Sequence, residues 1–557
     1  MRHSRLSFFV AALVGCGGTT VRTSVTDAEA PGDAASPPDA ASPPDAASPP
    51  DAASPPDAVS PPDAVSPPDA ATNPGGLPDG DACSRDAECR SGVCVHGPGL
   101  VNACAPSCRR DGDCAPLGVS FRCAVDRASD RTRLACAESE RGGADWLQSC
   151  RADGDCRSAL CVDATCRGAC ATDADCAPGL RCGPVMVSGA TLSLCRVAPI
   201  TGVTVERYTL RDEVLGVDTG TSEIRALIPP DAVSATWTTQ DPEGRNLFAA
   251  VRRLVSPANL AVVDLATWTQ VREQPLRTIP ARYQFNAAMV SSNESLMLTP
   301  GVWRSQHLLF NDRGNGTAVA ERRLRAGLIV KRAPGGVAAN GWTLRVQIIF
   351  AGTRDVNRST AAGNARLQAA IASMRRVYAT VGVNVVVNGY DDLNPADAAR
   401  YAVIDSRTEF QDLMSRVSYS TALLPIFMVR GISSPDFNGA IGVAGGVPGP
   451  AGVYSTIQSG VVVGWETTLG RTDQLPLTMT HETGHYLGLF HTRERLDPCT
   501  TASQTDCSAF GGVDAIADTP SDPAGAARNL MYWQAVGGNE LLSPTQGLVM
   551  RRNPLVY

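Results

Sequence analysis

The chain has 557 residues and a formal net charge of −7 at neutral pH. At about 100 to 200 residues per domain, this length indicates several folded units rather than one. Six aspartates fall in one low-complexity repeat, so the rest of the chain is close to neutral. The sequence therefore lacks the basic surface that nucleic-acid binding requires, and this class of function is excluded.

Residues 1–15 have the pattern of an export signal. Two arginines precede an apolar run from Leu6 to Val14, which is shorter than the roughly 20 residues that cross a bilayer. The run leads into Cys16 and resembles a bacterial lipobox, in which the signal is cut before the cysteine and its thiol is lipidated. We predict a mature chain that begins at lipidated Cys16, on the outer membrane or cell surface. A secreted protein with an incidental cysteine is the alternative.

Residues 16–78 are predicted to form a disordered linker. From Ser36 to Ala71 the sequence Ser-Pro-Pro-Asp-Ala-(Ala/Val) occurs six times. Such a composition cannot bury apolar surface, and its prolines favour extended polyproline conformations. On a lipid-anchored protein, this linker would be a stalk that holds the folded part away from the membrane.

Residues 79–196 contain sixteen of the nineteen cysteines, in two repeats of eight. Each half-repeat opens with Cys-x-x-Asp-x-(Asp/Glu)-Cys, and Cys-x-x-Cys metal motifs are absent. The pattern predicts four small units with eight disulfides, arranged alike in the two repeats, and it leaves the connectivity open. The acidic pairs are either solvated turn formers or ligands for Ca²⁺.

Residues 197–335 lack cysteine and alternate short β-rich segments with turn signals, which predicts a β-sandwich. A pro-segment that covers a catalytic cleft is an equal alternative. The predicted strands are Val203 to Leu210, Ser234 to Thr238, Leu247 to Val255, Ser295 to Leu298 and Leu324 to Lys331.

Residues 336–557 are predicted to form an α/β domain whose last long helix carries the chemistry. Strands are predicted at Thr343 to Phe350, Val383 to Val387, Leu424 to Val429 and Val461 to Trp465. Helices are predicted at about Ala361 to Val381, Glu409 to Val417 and Leu475 to Phe490.

The segment from His481 to His491 fits HExxHxxGxxH at every fixed position. Residues i and i+4 of a helix share one face, so His481 and His485 can bind one metal ion. Gly488 can adopt a positive φ that ends the helix, and His491 then supplies the third nitrogen. Three protein ligands leave a position for water, as in catalytic zinc sites, and Glu482 is placed to accept that water's proton.

With this motif the sequence resembles the metzincin peptidases, and among them the pappalysin-like group. Asn529 to Tyr532 resembles the family's methionine turn, which implies that Met531 lies beneath the zinc ion. Asp514 to Pro520 resembles an Asp-Thr-Pro segment of the pappalysin-like enzymes, or is an ordinary turn. Gly439 to Pro450 resembles the run before the edge strand on which metzincins bind peptides, or is a flexible glycine loop.

Two features depart from the family pattern. Trp533 stands two residues after the methionine, where some metzincins have a tyrosine near the zinc. The domain has only Cys499 and Cys507, fewer cysteines than pappalysin-like proteins would have, and these are predicted to form one local disulfide.

These features predict a zinc-dependent endopeptidase that cleaves proteins or peptides outside the cytoplasm. One alternative is a surface adhesion lipoprotein whose metzincin-like domain is inactive. Another is a zinc hydrolase that cleaves a non-peptide amide. The natural substrate, the activation step and the oligomeric state cannot be read from the sequence.

Overall fold

The computed structural model describes residues 73–557 with interruptions, the longest at 494–513 and 267–275, and the backbone of strand β1 (Gly15–Gly17). The rest of the export signal, the linker up to residue 72 and the predicted Cys499–Cys507 disulfide lie outside the described residues. Of Cys16, only the backbone is described. Within the described part, no helix is both long and apolar enough to span a membrane.

The cysteine-rich part consists of short two-stranded ribbons closed by disulfides. The strand pairs described there are β2 (Cys94–Val95) with β3 (Ala103–Cys104), β4 (Phe121–Asp126) with β5 (Arg133–Glu138), β6 (Cys161–Val162) with β7 (Thr165–Cys166), and β8 (Arg181–Val187) with β9 (Ala190–Arg196). The prediction of eight disulfides, arranged alike in both repeats, is confirmed. Disulfides at this density are typical of proteins outside the reducing cytosol.

All four units share one connectivity, which the sequence left open. In each unit the first cysteine is bonded to the third, and the second to the fourth. The bonds are Cys83–Cys94, Cys89–Cys104, Cys108–Cys123, Cys114–Cys136, Cys150–Cys161, Cys156–Cys166, Cys170–Cys182 and Cys176–Cys195.

The acidic pair of each unit binds backbone amides. In the third unit, Asp153 accepts a hydrogen bond from the N–H of Cys161 at 2.6 Å, and Asp155 accepts from Arg151 (2.7 Å) and Ala152 (3.0 Å). These amides lower the pKa of Asp155. Equivalent bonds are made by Asp86 and Glu88, Asp111 and Asp113, and Asp173 and Asp175. The described carboxylates thus stabilise turns, and nothing in this geometry supports a calcium site.

Two antiparallel sheets form a β-sandwich after the cysteine-rich part. One sheet has the order β10-β18-β12-β16, and the other has the order β11-β17-β13-β14 with β15 paired to β13. Trp237 and Trp303 meet in the core between them, with ring centroids 5.2 Å apart. The strands are β10 (Thr204–Gly216), β11 (Ile224–Ile228), β12 (Ala232–Gln240), β13 (Leu247–Val255), β14 (Ala261–Asp264), β15 (Ala281–Tyr283), β16 (Phe285–Val290), β17 (Gly301–Asn311) and β18 (Glu321–Arg332).

The predicted strand at Ser295 to Leu298 is wrong. Residues 296–298 have no strand conformation, and the N–H of Leu298 donates to the Ser291 hydroxyl at 2.8 Å instead of to a neighbouring strand. The strand begins at Gly301, where φ is +117° and Pro300 lies immediately before it. Proline has no N–H for a ladder, so the turn delays the strand.

The C-terminal part is an α/β domain built on one mixed sheet, in the order β1-β24-β25-β22-β19-β20. Neighbouring strands from β25 to β20 are parallel, whereas β24 is antiparallel to β25 and to β1. The strands are β19 (Trp342–Ala351), β20 (Val383–Asp392), β21 (Val403–Ile404), β22 (Leu424–Val429), β23 (Gly431–Ile432), β24 (Ala440–Ala444) and β25 (Val461–Gly464). The helices are α1 (Ala365–Ala379), α2 (Pro395–Arg400), α3 (Arg407–Met414), α4 (Leu475–Tyr486), α5 (Pro523–Ala526) and α6 (Pro544–Arg552).

Helix α1 packs against α4 and fixes its position. The Asn364 side chain caps α1 by accepting the N–H of Leu367 at 3.0 Å. The buried apolar residues of α1 recur at helical spacing on one face: Leu367, Ala370, Ile371, Met374, Val377 and Tyr378. At the end of this face, the Tyr378 hydroxyl donates to the Thr480 carbonyl at 2.7 Å, which ties α1 to the first turns of α4.

The sandwich and the α/β domain are joined by a buried lysine. The Lys331 ammonium donates to the backbone carbonyls of Arg551, in the last turn of α6, and of Asn553 and Val556, which follow the helix. It lies 4.2 Å from the Trp342 ring centroid. Carbonyls at a helix C-terminus carry partial negative charge and attract a cation. The last residues of the chain are therefore held by a side chain of the other domain.

Candidate metal centre

Helix α4 ends in a turn that only glycine adopts easily. The Gly488 N–H donates to the His485 carbonyl at 2.8 Å, and the Leu489 N–H donates to the Gly484 carbonyl at 3.1 Å. This is the Schellman pattern, and Gly488 has the left-handed φ of +109° that the pattern requires. The turn reverses the chain, so that His491 lies beside the helix it has just left.

The three histidines of the motif converge on one point. The Nε2 atoms of His481 and His485 are 3.0 Å apart, and His491 Nε2 lies 3.3 Å from the first and 3.1 Å from the second. Tetrahedral zinc with ligand distances of about 2.0–2.1 Å needs nitrogens roughly 3.3 Å apart. All three side chains are buried, at 1%, 0% and 4% exposure. The described cluster has the donor set, spacing and enclosure to hold a metal ion.

Backbone carbonyls orient two of these imidazoles. The Nδ1 atom of His481 donates to the Leu530 carbonyl at 2.6 Å, and the Nδ1 atom of His485 donates to the Leu489 carbonyl at 2.7 Å. A carbonyl only accepts, so each ring keeps its proton on Nδ1 and points an Nε2 lone pair at the other. Burial lowers the pKa of His481 to about 3 and that of His485 well below its ordinary value. Two facing lone pairs on neutral rings repel each other, and a cation between them removes the repulsion.

Glu482 lies beneath strand β24, the outermost strand that the α/β domain itself contributes to the sheet. Its side chain is fully buried, and it follows the first histidine of the motif in the chain. A Cβ atom added to Gly442 of β24 would be 2.8 Å from Glu482 Cγ and 2.5 Å from Thr478 Cγ2. Gly442 therefore lets the strand approach the carboxylate, a requirement that the sequence analysis did not identify.

The turn at Asn529 to Tyr532 lies against the histidine helix. A Cβ at Gly484 would be 2.6 Å from Met531 Sδ, so methionine and helix are in close contact. The Met531 carbonyl accepts the N–H of Thr492 at 2.9 Å, directly after His491. The turn thus positions one histidine through the Leu530 carbonyl and another through the following residue.

The structure also places the other segments that the sequence analysis singled out. Thr519 donates to Asp514 at 2.6 Å, so the Asp-Thr-Pro segment forms a turn closed on itself. The run from Gly439 to Pro450 contains strand β24 itself, which spans five of its residues and pairs with β1 on its outer side. Trp533 lies against Tyr532, with ring centroids 5.8 Å apart.

No protein-family model matches this sequence, and no curated protein matches it. Among solved structures, the chain is similar to metalloproteinase-II from Bacteroides fragilis, with 13% identity and a TM-score of 0.23 over 38% of this chain and 53% of that one. It is also similar to archaemetzincin from Methanopyrus kandleri, with 14% identity and a TM-score of 0.22 over 38% of this chain and 95% of that one. The chain thus spans about half the length of the Bacteroides protein. Both likenesses are weak.

Proposed function

We propose that this protein is a zinc-dependent endopeptidase of the metzincin type, close to the pappalysin-like group, and that it cleaves proteins outside the cytoplasm. The observation that carries the proposal is the convergence of three buried Nε2 atoms at 3.0–3.3 Å beside a buried glutamate. A surface adhesion function has no comparable observation in its favour.

In this proposal His481, His485 and His491 hold the metal, and Glu482 is the general base. When bound, zinc polarises the substrate carbonyl and lowers the pKa of a water molecule toward about 7. The Glu482 carboxylate accepts that water's proton and returns it to the leaving amine. The carbonyl of Leu530 keeps His481 in the tautomer that a ligand needs.

The outer edge of β24 is the proposed binding place for the substrate backbone. An extended peptide can add to a sheet edge through main-chain hydrogen bonds. In the full-length chain, which still carries the predicted export signal with Gly15, the backbone of Gly15–Gly17 pairs with this edge in antiparallel register, which supports its capacity to accept a strand. A peptide bound there would pass directly over Glu482, because Gly442 lies above that carboxylate.

Eight disulfides are consistent with action outside the cytoplasm. We further propose that lipid on Cys16 attaches the protein to the outer membrane or the cell surface, with the proline-rich linker as spacer. The membrane is then a partner through this anchor alone.

The decisive variant is Glu482→Gln in the full chain. The amide keeps the size of the side chain but cannot accept the proton, and general-base catalysis is worth about 10² to 10⁴ in rate. Zinc content, measured by plasma mass spectrometry, should stay near one ion per chain. Cleavage of unfolded protein, measured by mass spectrometry of released peptides, should fall at least a hundredfold.

Glu321→Gln is the matched control, because Glu321 is an exposed glutamate at the start of β18. It should leave both zinc content and cleavage unchanged. Undiminished cleavage by Glu482→Gln with full zinc would refute the mechanism. A wild-type chain that binds zinc but releases no chelator-sensitive peptides would favour the adhesion alternative, and release of amide products from non-peptides alone would favour the other hydrolase.

A further inference from the structure

The sandwich places an arginine next to the proposed cleft. Arg282 lies on the short strand β15, against the loop that connects β24 to β25. The Gln458 side chain of this loop donates to the backbone carbonyls of Tyr283 (2.9 Å) and Phe285 (2.7 Å), the two residues that flank Gln284. These bonds fix the strand, and with it the backbone of Arg282, against the α/β domain.

The Arg282 guanidinium has a carbonyl partner but no anionic one. Its Nη1 donates to the Gly445 carbonyl at 3.1 Å, and no carboxylate of the described residues acts on its charge. The side chain is partly accessible, yet its surroundings desolvate it enough to lower its pKa to about 10. Gly445 directly follows β24, the strand that lies over Glu482, so the guanidinium is held at the end of that strand. A desolvated cation without a counter-charge is costly, which favours a role in binding an anion.

The register of β24 tells which part of a substrate this cation would meet. Gly445 follows β24 directly, three residues after Gly442, which is about 10 Å along a strand. In the antiparallel pairing of β1, Gly15 is opposite Val443 and Gly17 is opposite Ala440. A peptide in the same direction therefore has its N-terminal residues toward Gly445 and its scissile bond near Gly442, above the general base.

We propose that Arg282 selects substrates that carry an acidic side chain about two or three residues before the scissile bond. The inference rests on the proposed peptidase function and adds a substrate class to it. The specificity residue comes from the sandwich, so this domain would form part of the substrate site. A guanidinium already held by one carbonyl keeps further donors in a rigid fork for a carboxylate.

The test uses pairs of peptides that differ only by Asp or Asn at the third residue before a mapped cleavage site. We expect the wild-type chain to cleave the Asp peptide about ten- to a hundredfold better in kcat/KM, the range of a charged hydrogen bond. Arg282→Gln keeps a donor for the Gly445 carbonyl but removes the charge. It should bring the ratio close to one by slowing cleavage of the Asp peptide, and Arg282→Lys should retain part of the preference.

Arg207→Gln is the matched control, because Arg207 also reaches from the sandwich to this loop, donating to the Ala451 carbonyl at 3.4 Å. It should leave the Asp preference intact. Equal loss of preference in both variants, or an unchanged preference in Arg282→Gln, would show that Arg282 only tethers the domains and would overturn the proposal.

Binding separates this inference from the proposed function. In full-length Glu482→Gln protein loaded with zinc, fluorescence anisotropy should give tighter binding of the Asp peptide than of the Asn peptide, and Arg282→Gln should abolish the difference. If the wild type cleaves but neither kinetics nor binding prefers Asp, Arg282 has no role in specificity and the peptidase function stands. If nothing is cleaved yet the Asp peptide binds through Arg282, the anion site stands and the peptidase function fails.

Discussion

The cysteine-rich units are stabilised by local bonds, whereas the two domains that follow them are stabilised by contacts between distant segments. In the units, every disulfide closes a loop of 10 to 22 residues, and each acidic pair bonds to nearby amides. Between the sandwich and the α/β domain, by contrast, Lys331 donates hydrogen bonds to backbone carbonyls more than 200 positions later in the chain. The units carry their own constraints, whereas the site-bearing part depends on contacts that form only when both domains are folded.

Reduction should separate the two regions most strongly. A reductant removes all constraints from the units, each disulfide contributing about 2 to 4 kcal/mol, mainly by restricting the unfolded chain. No cysteine occurs between Arg196 and Pro498, so the described metal centre involves no thiol. We expect hydrogen exchange in residues 83–195 to become fast while zinc stays bound.

Release of zinc at the same rate at which reduction unfolds the units would contradict this independence. It would then follow that the α/β domain requires the units for its stability. Eight or more free thiols in the native exported protein would contradict the disulfide framework itself.

A smaller effect is expected from Lys331→Met, which keeps the length of the side chain without its donors. Three carbonyls at and after the C-terminus of α6 would lose their buried partner, at a cost on the order of 3 kcal/mol in the free energy of unfolding. Arg323→Met on the same strand removes only an exposed ion pair with Asp212 and should leave the free energy of unfolding almost unchanged. Urea unfolding followed by tryptophan fluorescence measures both, and equal losses would show that Lys331 does not hold the interface.

The sandwich and the cysteine-rich units should also lose stability at different pH values. His307 is buried in the sandwich between the Thr239 and Ser305 hydroxyls, and desolvation lowers its pKa to about 3. The unfolded chain binds a proton below about pH 6.5 whereas the folded chain does not, so stability is full above that pH and falls by up to about 1.4 kcal/mol per pH unit below it. The pKa of Asp155 is lowered instead, so the units lose stability only as pH falls below the ordinary aspartate range.

This prediction is checked by the stability of the sandwich between pH 6.5 and 4.5, in the wild type and in His307→Gln. The variant should be less stable at neutral pH but should show a flatter pH dependence. Parallel curves for the two proteins would mean that another group titrates in this range.

The two regions also differ in how far the sequence predicts them. Cysteine spacing predicts the number and the similarity of the disulfides, because each bond is local. The histidine motif predicts which nitrogens can meet, because i, i+4 spacing and a glycine turn are local as well. The strand expected at 295–298 was wrong because the turn at Pro300 and Gly301 overrides a short apolar run.

Contacts between distant segments could not be predicted in this way. The carbonyls of Leu530 and Leu489 orient the histidines, yet any residue has a carbonyl, so no sequence signal marks them. Gly442 is required by the approach of β24 to Glu482, which depends on sheet and helix packing together. Arg282 comes from a separate domain, and only the interface brings it to the Gly445 carbonyl at the end of β24.

Lys331 has a practical consequence for chemical modification of the folded protein. It is the chain's only lysine, and it is fully buried. The folded protein therefore presents no lysine amine to amine-reactive dyes, cross-linkers or lysine-specific proteases. Any such modification at this position reports an opening of the boundary between the sandwich and the α/β domain, and its rate measures how often that boundary opens.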